Sequence, residues 1–463
     1  MKKFRIEKDS LGEVKVESNK YWGAQTQRSL KNFPIGSDIM PLELIKAFGI
    51  QKKAAAISNM AINKLPKKLG EKIIEVCDEI IEGKLNDNFP LSVWQTGSGT
   101  QTNMNINEVI ANKANEILGE KLGSYNPIHP NDHCNLGQSS NDSFPTAMHI
   151  AIVNEFNEKL RPSIEKTIKT LKEKENEFSD IIKIGRTHLQ DATPITLGQE
   201  FSAFRSQIQN SLARITSSLE EIYFLAQGGT AVGTGLNTSK KFISGFFKAV
   251  EMITNHPFKK SKNKFESLSS HDSIIQFSGS LNTLITACYK ISNDIRLLAS
   301  GPRGGIGELI LPSNEPGSSI MPGKINPTQC EALAQVCIHL MGMHFSLSIA
   351  GSQGQFQLNA NKTVIIFTIL RTIVLISESL NSFNQRCLNN IKANKKVISE
   401  NLHNSLMLVT ALNPKIGYDK SAEIAKKAYK ENISLKESAI KLSYLNEEEY
   451  DNLVKPENMI KID

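Results

Sequence analysis

The sequence predicts a mainly α-helical protein, and three observations support this prediction. Long segments in the central part of the chain repeat apolar residues with helical spacing, and strand signals are scarce there. Several of these segments are about twice the length of an average helix. Some carry apolar residues on nearly all sides, as in Ala332–Leu340, which requires burial against more than one neighbour. We therefore expect a central helical bundle that is partly buried by other subunits.

The predicted elements fall into three regions of the chain. The N-terminal domain, residues 1–138, begins with turn-rich sequence and continues with shorter helices. The central helical-bundle domain, residues 139–395, contains the long helices, and residues 396–463 form a small C-terminal helical domain. The long helices are predicted at Thr146–Phe178, Leu197–Gln227, Ser239–His256, His271–Ser300, Pro327–Ala350 and Lys362–Ile391.

Composition narrows the class of protein. The 463 residues are 40% hydrophobic and 22% charged, which is typical of a soluble globular chain. The net charge of +7 is spread over helical faces without clustered basic and aromatic residues, so we expect no nucleic-acid partner. The most apolar segment, Val364–Leu380, is interrupted by Arg371, and we interpret it as a buried helix rather than a membrane span.

The cysteines and the N-terminal sequence indicate the compartment. Six cysteines are scattered along the chain without paired CxxC spacing, so we expect reduced and mostly buried thiols. The first residues, MKKFRIEKDSLGEVKV, have no apolar segment of the kind found in secretory signals. We expect a cytoplasmic protein.

Four polar, glycine-containing segments interrupt the apolar helical sequence. They are QTGSGTQTNMN at Gln95–Asn105, HPNDHCNLGQSSNDSFPT at His129–Thr146, GRTHLQD at Gly185–Asp191 and GSSIMPGKINPTQCEAL at Gly317–Leu333. Each segment alone is typical of helix caps and turns. Four together favour a shared site, because hydroxyl and amide donors can hold carboxylate oxygens.

The segment Gly317–Leu333 carries the most chemistry. Its glycines and prolines exclude a continuous helix over the first eleven residues, so we expect Ser318 and Ser319 on a loop. Pro327 is suited to the first position of a new helix, which would carry Glu331 one turn further on. A hydroxyl loop, a lysine and a helix N-terminus are appropriate for binding a carboxylate substrate.

Two other motif interpretations are weaker. GGTAVGTG at Gly228–Gly235 lacks the Lys-Ser/Thr ending of a phosphate loop, and we expect a tight turn between helices. His129 and His133 have the spacing of a metal-binding pair on a helix, but Pro130 makes that helix improbable. We therefore expect no catalytic metal.

The polar segments resemble those of the fumarase/aspartase superfamily, whose members make or break a C–N or C–O bond beta to a carboxylate. GSSIMPGKINP resembles the loop shared by the superfamily, and the other segments resemble the class II fumarate hydratase family. The resemblance extends from YWGAQTQRSL to LNPKIGYDK and covers nearly the whole chain. It implies a three-domain fold in a homotetramer with a 20-helix core and active sites built from three subunits. It also implies reversible hydration of fumarate to (S)-malate, as in the tricarboxylic acid cycle, without metal or cofactor.

The resemblance also implies roles for individual residues. Ser318 corresponds to the base that takes a proton from carbon, and an unperturbed serine needs neighbouring donors for that task. His188 corresponds to the group that handles water, with Glu331 as its partner, and Lys324 corresponds to a catalytic donor to the substrate carboxylate. The residues that would hold the substrate are Ser98, Gly99, Thr100, Ser139, Ser140, Asn141, Thr187, Ser319, Lys324 and Asn326.

The family's second anion site corresponds to His129, Asn131 and Asp132. Members of the family often carry basic residues just before this segment, whereas this chain has Asn126 and Pro127. Neither residue supplies a positive charge, so we expect this site to be minor.

Two rival functions follow from the same resemblance. Aspartate ammonia-lyases share the loop but resemble GRTQLQD where this chain has GRTHLQD, so His188 favours hydration. Some superfamily members are non-enzymatic lens proteins. The presence of Ser318, Lys324 and Glu331 argues against such a scaffold role.

Overall fold

The structure is a computed structural model that describes residues 3–461, and 62% of it is helical. The mainly α-helical fold class is therefore confirmed. The α-helices are α1 Ala24–Asn32, α2 Leu42–Ala61, α3 Lys67–Ile81, α4 Thr100–Ile117, α5 Ser140–Glu155, α6 Arg161–Glu177, α7 Leu197–Ile222, α8 Lys240–Thr254, α9 Lys264–Ser269, α10 Asp272–Leu298, α11 Thr328–Gly351, α12 Lys362–Arg386, α13 Lys395–Asn404, α14 Asn413–Ile416, α15 Tyr418–Glu431, α16 Leu435–Lys441 and α17 Glu447–Leu453.

Short helical turns and short strands complete the described chain. The 3-10 turns are Asn86–Asn88, Leu388–Asn390, Leu406–Leu412 and Pro456–Asn458, and the π turns are Pro130–Cys134 and Phe156–Leu160. The strands are β1 Phe4–Asp9, β2 Gly12–Glu17, β3 Ile182–Thr187, β4 Gln190–Thr196, β5 Phe224–Leu225, β6 Lys259–Lys260, β7 Leu309–Ile310, β8 Gly354–Gln355, β9 Leu358–Asn359 and β10 Lys392–Ala393. They form two-stranded sheets, of which β5–β6 is parallel and the others are antiparallel.

All six predicted long helices are present in the structure. The first is continuous from Ser140 to Glu177, because the π turn Phe156–Leu160 joins α5 to α6. Helix α11 begins at Thr328, one residue later than predicted, so Pro327 precedes its first turn. The shift is small because the Pro327 carbonyl still accepts the first helical hydrogen bond, from the Glu331 amide at 3.1 Å.

The β3–β4 hairpin was not predicted. Its strands pair in antiparallel register from Ile182 with Thr196 to Thr187 with Gln190, and the register shifts between Ile184 and Arg186. That irregularity interrupts the period-two alternation by which a strand is recognised in sequence.

The chain folds into two compact units. Unit 1 comprises the chain up to Pro162 together with Ser211–Thr283 and His339–Ser377. Unit 2 comprises Ser163–Asn210, Leu284–Ile338 and the chain from Glu378 onward. The division into domains at 138/139 and 395/396 stays a prediction.

Helix α2 is central to unit 1, where it packs against α3, α5 and α8. Its side chains are buried on nearly every side, because small residues allow the neighbouring helices to approach closely. Phe48 contacts Phe144 of α5 edge to face, with ring centroids 5.6 Å apart. The same packing encloses Lys52, whose side chain is fully buried.

Unit 2 contains a separate hydrophobic cluster around the C-terminal helices. Ile184 of β3 belongs to it, together with Leu412, Ile424 and Leu435. Helix α13 packs against β3, and the turn Leu406–Leu412 packs against β4. The C-terminal helices therefore support the base of the β3–β4 hairpin.

Two helices within the described residues are long and apolar enough to cross a membrane by length and composition. They are Thr328–Gly351 and Lys362–Asn390. The second contains Val364–Leu380, and 61% of its most apolar window is buried inside the structure, as expected for a core helix. Only 28% of the corresponding window in Thr328–Gly351 is buried, so α11 leaves much apolar surface uncovered in the single chain.

Candidate active site

A tight turn begins α4 and presents Ser98 and Thr100 in unit 1. Gly99 precedes the helix with φ +77°, and a Cβ there would lie 2.1 Å from the Phe144 ring. Only glycine fits this position without strain. Glycine supplies no capping side chain, and the Thr102 amide of the first turn donates instead to the Gln95 side-chain oxygen at 3.1 Å. The Ser98 and Thr100 hydroxyls are 2.9 Å apart and both belong to this turn.

The same turn is seated against the start of α12. The Gly97 carbonyl accepts a hydrogen bond from the Lys362 amide at 2.9 Å. A Cβ at Gly97 would lie 1.3 Å from the Ala360 carbonyl oxygen, so no side chain fits between the two segments. The contact holds the backbone of the turn that carries Ser98.

The second polar segment begins α5 with a capping box. The Ser139 hydroxyl accepts a hydrogen bond from the Asn141 amide at 3.2 Å, and the Asp142 carboxylate accepts one from the Ser139 amide at 2.9 Å. These bonds satisfy groups that a helix N-terminus otherwise leaves unpaired. The cap holds Ser139, Ser140 and Asn141 in one turn.

Side-chain amides connect this turn to its surroundings. Asn103, in the first turn of α4, donates a hydrogen bond to the Ser140 hydroxyl at 2.9 Å. Asn141 donates to the Ala231 carbonyl at 2.8 Å. The first bond joins the starts of α4 and α5. The second joins α5 to the glycine-rich segment Gly228–Gly235. This segment is the expected turn, and it also contributes Thr230 and Ala231 to the lining of a cavity.

A cavity of about 620 Å³ opens beside the α5 N-terminus. It is lined by Asn131, Asp132, Asn135, Leu136, Gly137, Gln138, Ser139, Ser140, Thr230, Ala231, Leu236 and Asn237. Two residues of the expected second anion site and two of the expected substrate site therefore share one cavity within unit 1.

The segment of the expected second anion site is helical, although Pro130 was expected to prevent a helix there. Pro130–Cys134 forms a π-helical turn, which proline tolerates because it occupies the first position, where no N–H is required. The His129 Nδ1 accepts hydrogen bonds from the Asn131 and Asp132 amides at 3.2 and 3.3 Å. The imidazole therefore caps its own turn, and its Nε2 is the nitrogen left for a ligand.

His133 is used in the same way. Its Nδ1 accepts from the His129 amide at 2.9 Å, and burial lowers the pKa of His133. Within residues 3–461 no group of three His, Cys, Asp or Glu side chains could hold a metal ion. Asn126, which stands where the family often has a basic residue, is exposed in a turn with Ser124.

In unit 2, His188 lies at the tip of the β3–β4 hairpin. His188 and Leu189 have φ of +56° and +60°, as a two-residue type I′ turn requires. This conformation is uncommon for side chains larger than glycine, so the turn holds backbone strain at this position. Thr187 and His188 are both exposed, and His188 forms no hydrogen bond or ion pair with the described residues. The hairpin presents its imidazole outward.

Buried charges anchor the base of this hairpin. Arg186 is 2.7 Å and Lys183 is 3.2 Å from the Glu308 carboxylate, which is fully buried. Lys183 also lies 3.0 Å from Glu200. Burial acts to raise the pKa of Glu308, but the hydrogen bond from Arg186 and the charges of Lys183 and Arg186 outweigh it. The pKa of Glu308 is therefore held below its ordinary value.

The Ser318 loop is closed by backbone contacts, and it lies outside any helix as predicted. Gly317 has φ +77°, and a Cβ there would lie 2.0 Å from the Lys324 carbonyl oxygen. The Ser318 hydroxyl accepts hydrogen bonds from the amides of Met321 at 3.0 Å and Ile320 at 3.4 Å. Two backbone donors therefore converge on the oxygen that would act as a base.

The remaining residues of this segment lie nearby in unit 2. Asn326 donates to the Gly317 carbonyl and so joins the two ends of the loop. Ser319 and Lys324 are exposed, and Glu331 is half-buried in the first turn of α11. No hydrogen bond or ion pair joins Glu331 to His188 within the described chain, so their pairing stays a prediction.

Sequence reasoning missed the polar residues beneath the cavity. They are Lys52, Asn103, Asn135, Gln138 and Asp142, which are connected by the hydrogen bonds around α4 and α5. One signal was available: α4 carries Asn103 and Asn107 four residues apart, and asparagine is unfavourable inside a helix unless its amide has a partner.

Comparison with known proteins extends over almost the entire chain. Residues 12–342 match the family described as Lyase, and residues 408–461 match the family described as Fumarase C C-terminus. The fumarate hydratase, mitochondrial, of Rhizopus oryzae is 56% identical and covers 99% of this chain and 93% of its own length. The fumarate hydratase class II of Rickettsia felis is also 56% identical, over 99% of this chain and 100% of its own.

Solved structures agree with this similarity. The crystal structure of recombinant class II fumarase from Schistosoma mansoni has a TM-score of 0.97 at 46% identity and covers 99% of both chains. That of fumarate lyase:delta crystallin from Brucella melitensis bound to cobalt has a TM-score of 0.96 at 38% identity, over 99% of this chain and 100% of that one.

We predict that Glu308→Gln destabilises the chain by roughly 3–5 kcal/mol, because it removes the only ion-pair partner of Arg186 among the described residues and leaves Lys183 with Glu200 alone. The pKa of Glu308 is lower in the folded than in the unfolded state, where it is near 4.5. Its stabilisation is therefore present above that pH and is lost as the pH falls through the folded value.

Urea unfolding at several pH values measures both effects. The gap in unfolding free energy between wild type and Glu308→Gln should narrow as the pH falls below 4.5. The control is Glu400→Gln in α13, whose partner Lys396 lies 3.9 Å away at the surface and which should change stability little. A pH-independent gap would contradict the assignment.

Proposed function

This chain belongs to the class II fumarate hydratase family, and we propose that it catalyses the reversible hydration of fumarate to (S)-malate, a step of the tricarboxylic acid cycle. Relatives named fumarate hydratase are 54% to 57% identical over 99% of the chain. The observation that carries the proposal is His188, whose imidazole is exposed. Aspartate ammonia-lyases resemble GRTQLQD in this segment, with glutamine at the position of His188.

The starts of α4 and α5 support binding of a dicarboxylate. Ser98, Gly99 and Thr100 begin one helix, and Ser139, Ser140 and Asn141 begin the other. Helix N-termini favour negative charge, and their hydroxyl and amide groups donate hydrogen bonds to carboxylate oxygens. These donors hold a dianion without forming a permanent ion pair. In the assembly, Thr187, Ser319, Lys324 and Asn326 complete the substrate site.

In the direction of dehydration, Ser318 removes a proton from the malate carbon that bears no hydroxyl. Negative charge then develops on the adjacent carboxylate, and its stabilisation dominates the barrier. Lys324 supplies the positive charge for this aci-carboxylate. The amides of Ile320 and Met321 support Ser318 as the base, because hydrogen bonds to an oxygen favour its deprotonated form.

The second half of the reaction is the loss of hydroxide as water. Protonated His188 donates a proton to the leaving hydroxyl, and the C–O bond breaks to form the double bond of fumarate. Glu331 is the partner that orients the imidazole for this proton transfer. Hydration follows the reverse path: His188 takes a proton from water, and Ser318 returns a proton to the other carbon.

We predict that purified protein converts fumarate to malate at an unchanged rate in the presence of a chelator, because no step above uses a metal. Loss of fumarate is followed by ultraviolet absorbance, and malate is identified by mass spectrometry. The same preparation is assayed for ammonia release from aspartate and for cleavage of argininosuccinate. Aspartate turnover at a comparable rate, or activity abolished by chelation, would refute the proposal.

We predict that Ser318→Ala and His188→Asn each lower kcat about a hundredfold or more, the range of general acid–base contributions. His188 is exposed and Ser318 is half-buried in a loop outside any helix, so the folded assembly should persist. Light scattering and circular dichroism check this. Ser313→Ala, an exposed serine just before the loop, is the control and should keep normal turnover. Near-normal kcat in either variant removes that residue from the mechanism.

The apolar surface of α11 supports a homotetramer with active sites shared between three subunits. Ile338, Phe345 and Ile349 are 58%, 68% and 50% exposed in the single chain. Large exposed apolar surfaces are typical of protein interfaces. Burial of α11 by the same helix of other subunits would produce the expected 20-helix core, and it would allow segments of different chains to meet.

Phe345→Glu should dissociate the assembly, because it places a charge in this apolar surface. Analytical ultracentrifugation should find four 51.3-kDa chains in the wild type and smaller species in the variant. Loss of fumarate hydration should accompany dissociation if active sites are shared. Tyr429→Glu, at an 81% exposed position of α15, is the control. A variant of unchanged mass and activity would contradict this assembly.

We propose a cytoplasmic location and neither a nucleic-acid nor a membrane partner. All six cysteines are free and buried, which supports a reducing compartment. The relatives include a protein named mitochondrial and proteins from bacteria. Family membership alone is therefore compatible with a mitochondrial or a cytoplasmic location. The His129 site remains a proposed minor anion site beside the main one.

A further inference from the structure

Lys52 is a fully buried cation beneath the cavity of unit 1. It lies in the middle of α2, where its Nζ donates to Asn135 Oδ1 and to Gln138 Oε1, each at 3.0 Å. Both partners are neutral amides. Burying an ammonium group without a directly bonded carboxylate is costly, so a residue kept in this environment requires an explanation beyond packing.

The two partners of Lys52 belong to the cavity wall. Asn135 and Gln138 line the cavity together with Ser139 and Ser140. Asn135 Oδ1 also accepts a hydrogen bond from Asn103 at 3.2 Å, and Asn103 donates to the Ser140 hydroxyl at 2.9 Å. A continuous chain of hydrogen bonds therefore leads from Lys52 to a residue that we place in the substrate site.

We propose that Lys52 is a positioning residue for the dicarboxylate substrate, which holds Asn135 and Gln138 in the cavity wall and places a positive charge behind the donors at the α5 N-terminus. The proposal rests on the proposed function and extends its substrate site. Lys52 is fully buried, and charges in the protein interior are screened less than charges at the surface.

Titration of Lys52 gives this role a pH dependence. Burial lowers the pKa of Lys52 to about 7, against the opposing influence of Cys134, Asp142 and Cys77. Burial also raises the pKa of both thiols, for Cys134 to about 12, so both remain neutral near pH 7. Lys52 is therefore charged below about pH 7 and neutral above it, and affinity for the dianion should fall as the pH rises.

The experiment compares three variants in the complete assembly. Lys52→Met removes the charge and the donors, and Lys52→Gln retains a donor without the charge. Lys53→Met is the matched control, because its neighbouring Nζ lies 2.6 Å from Asp78 at the surface of the unit. Binding of succinate, which cannot react, is measured by calorimetry. KM and kcat for fumarate are measured on either side of pH 7.

Lys52→Met should weaken succinate binding and raise KM about tenfold, as expected for loss of a charge-assisted hydrogen-bond network, while kcat changes much less. Wild-type KM should rise as the pH passes about 7, and this rise should be absent in Lys52→Gln. Lys53→Met should retain the wild-type values and the wild-type pH profile.

The outcomes separate this proposal from the proposed function. Absence of fumarate hydration in the wild type would refute the function. Normal hydration with equal succinate affinity in Lys52→Met and Lys53→Met would refute the role of Lys52. A fall in kcat at unchanged KM would also refute it. If Lys52→Met does not fold, Lys52→Gln decides, and a wild-type pH profile in that variant overturns the proposal.

Discussion

The buried carboxylate of Asp142 is the interaction on which the site in unit 1 depends. One oxygen accepts from the Ser139 amide, and the other accepts from the amides of Gly228 and Thr230 at 2.9 Å each. The Gln227 side chain adds a further donor at 3.1 Å. Burial raises the pKa of Asp142, and these hydrogen bonds oppose that shift. A single side chain thus caps α5 and fastens the glycine-rich segment to it, so the wall of the cavity and the donors of the cap share one anchor.

In unit 2, the buried carboxylate of Glu308 has the corresponding role at the base of the β3–β4 hairpin. A hairpin with an exposed tip needs a rigid base, because a strained turn persists only where the surrounding structure holds it. Glu308 supplies that base through Lys183 and Arg186, which flank the register shift in β3. The packing of Ile184 into the C-terminal cluster adds an apolar anchor. In both units, a buried carboxylate with several hydrogen-bond donors supports polar groups at the surface. The scaffold can therefore remain stable while the polar groups of the site stay exposed.

The sequence predicted the elements that depend on local pattern and missed those that depend on tertiary contact. The long helices were predictable because apolar periodicity persists over many turns, and the Ser318 loop because glycine and proline exclude a helix. The burial of Lys52 was not predictable, because Lys52 and Lys53 are adjacent lysines in the same helical segment and have the same local sequence. Only packing makes one a buried cation and the other a surface ion pair. The site residues were proposed from resemblance. The structure places one group of them in unit 1 and the other in unit 2, and it does not test their roles.

The arrangement of charge in these surfaces has a mechanistic consequence. Binding that is equally strong in the ground state and the transition state does not accelerate the chemical step. The donors at the starts of α4 and α5 are neutral hydroxyls and amides, and the cation behind them, Lys52, reaches the cavity only through Asn135 and Gln138. Their attraction for a dianion is therefore moderate. Lys324, which we propose stabilises the carboxylate on which charge develops, is exposed on a loop. In that proposed role, the site keeps its exposed cation for the aci-carboxylate and so favours the transition state over both fumarate and malate.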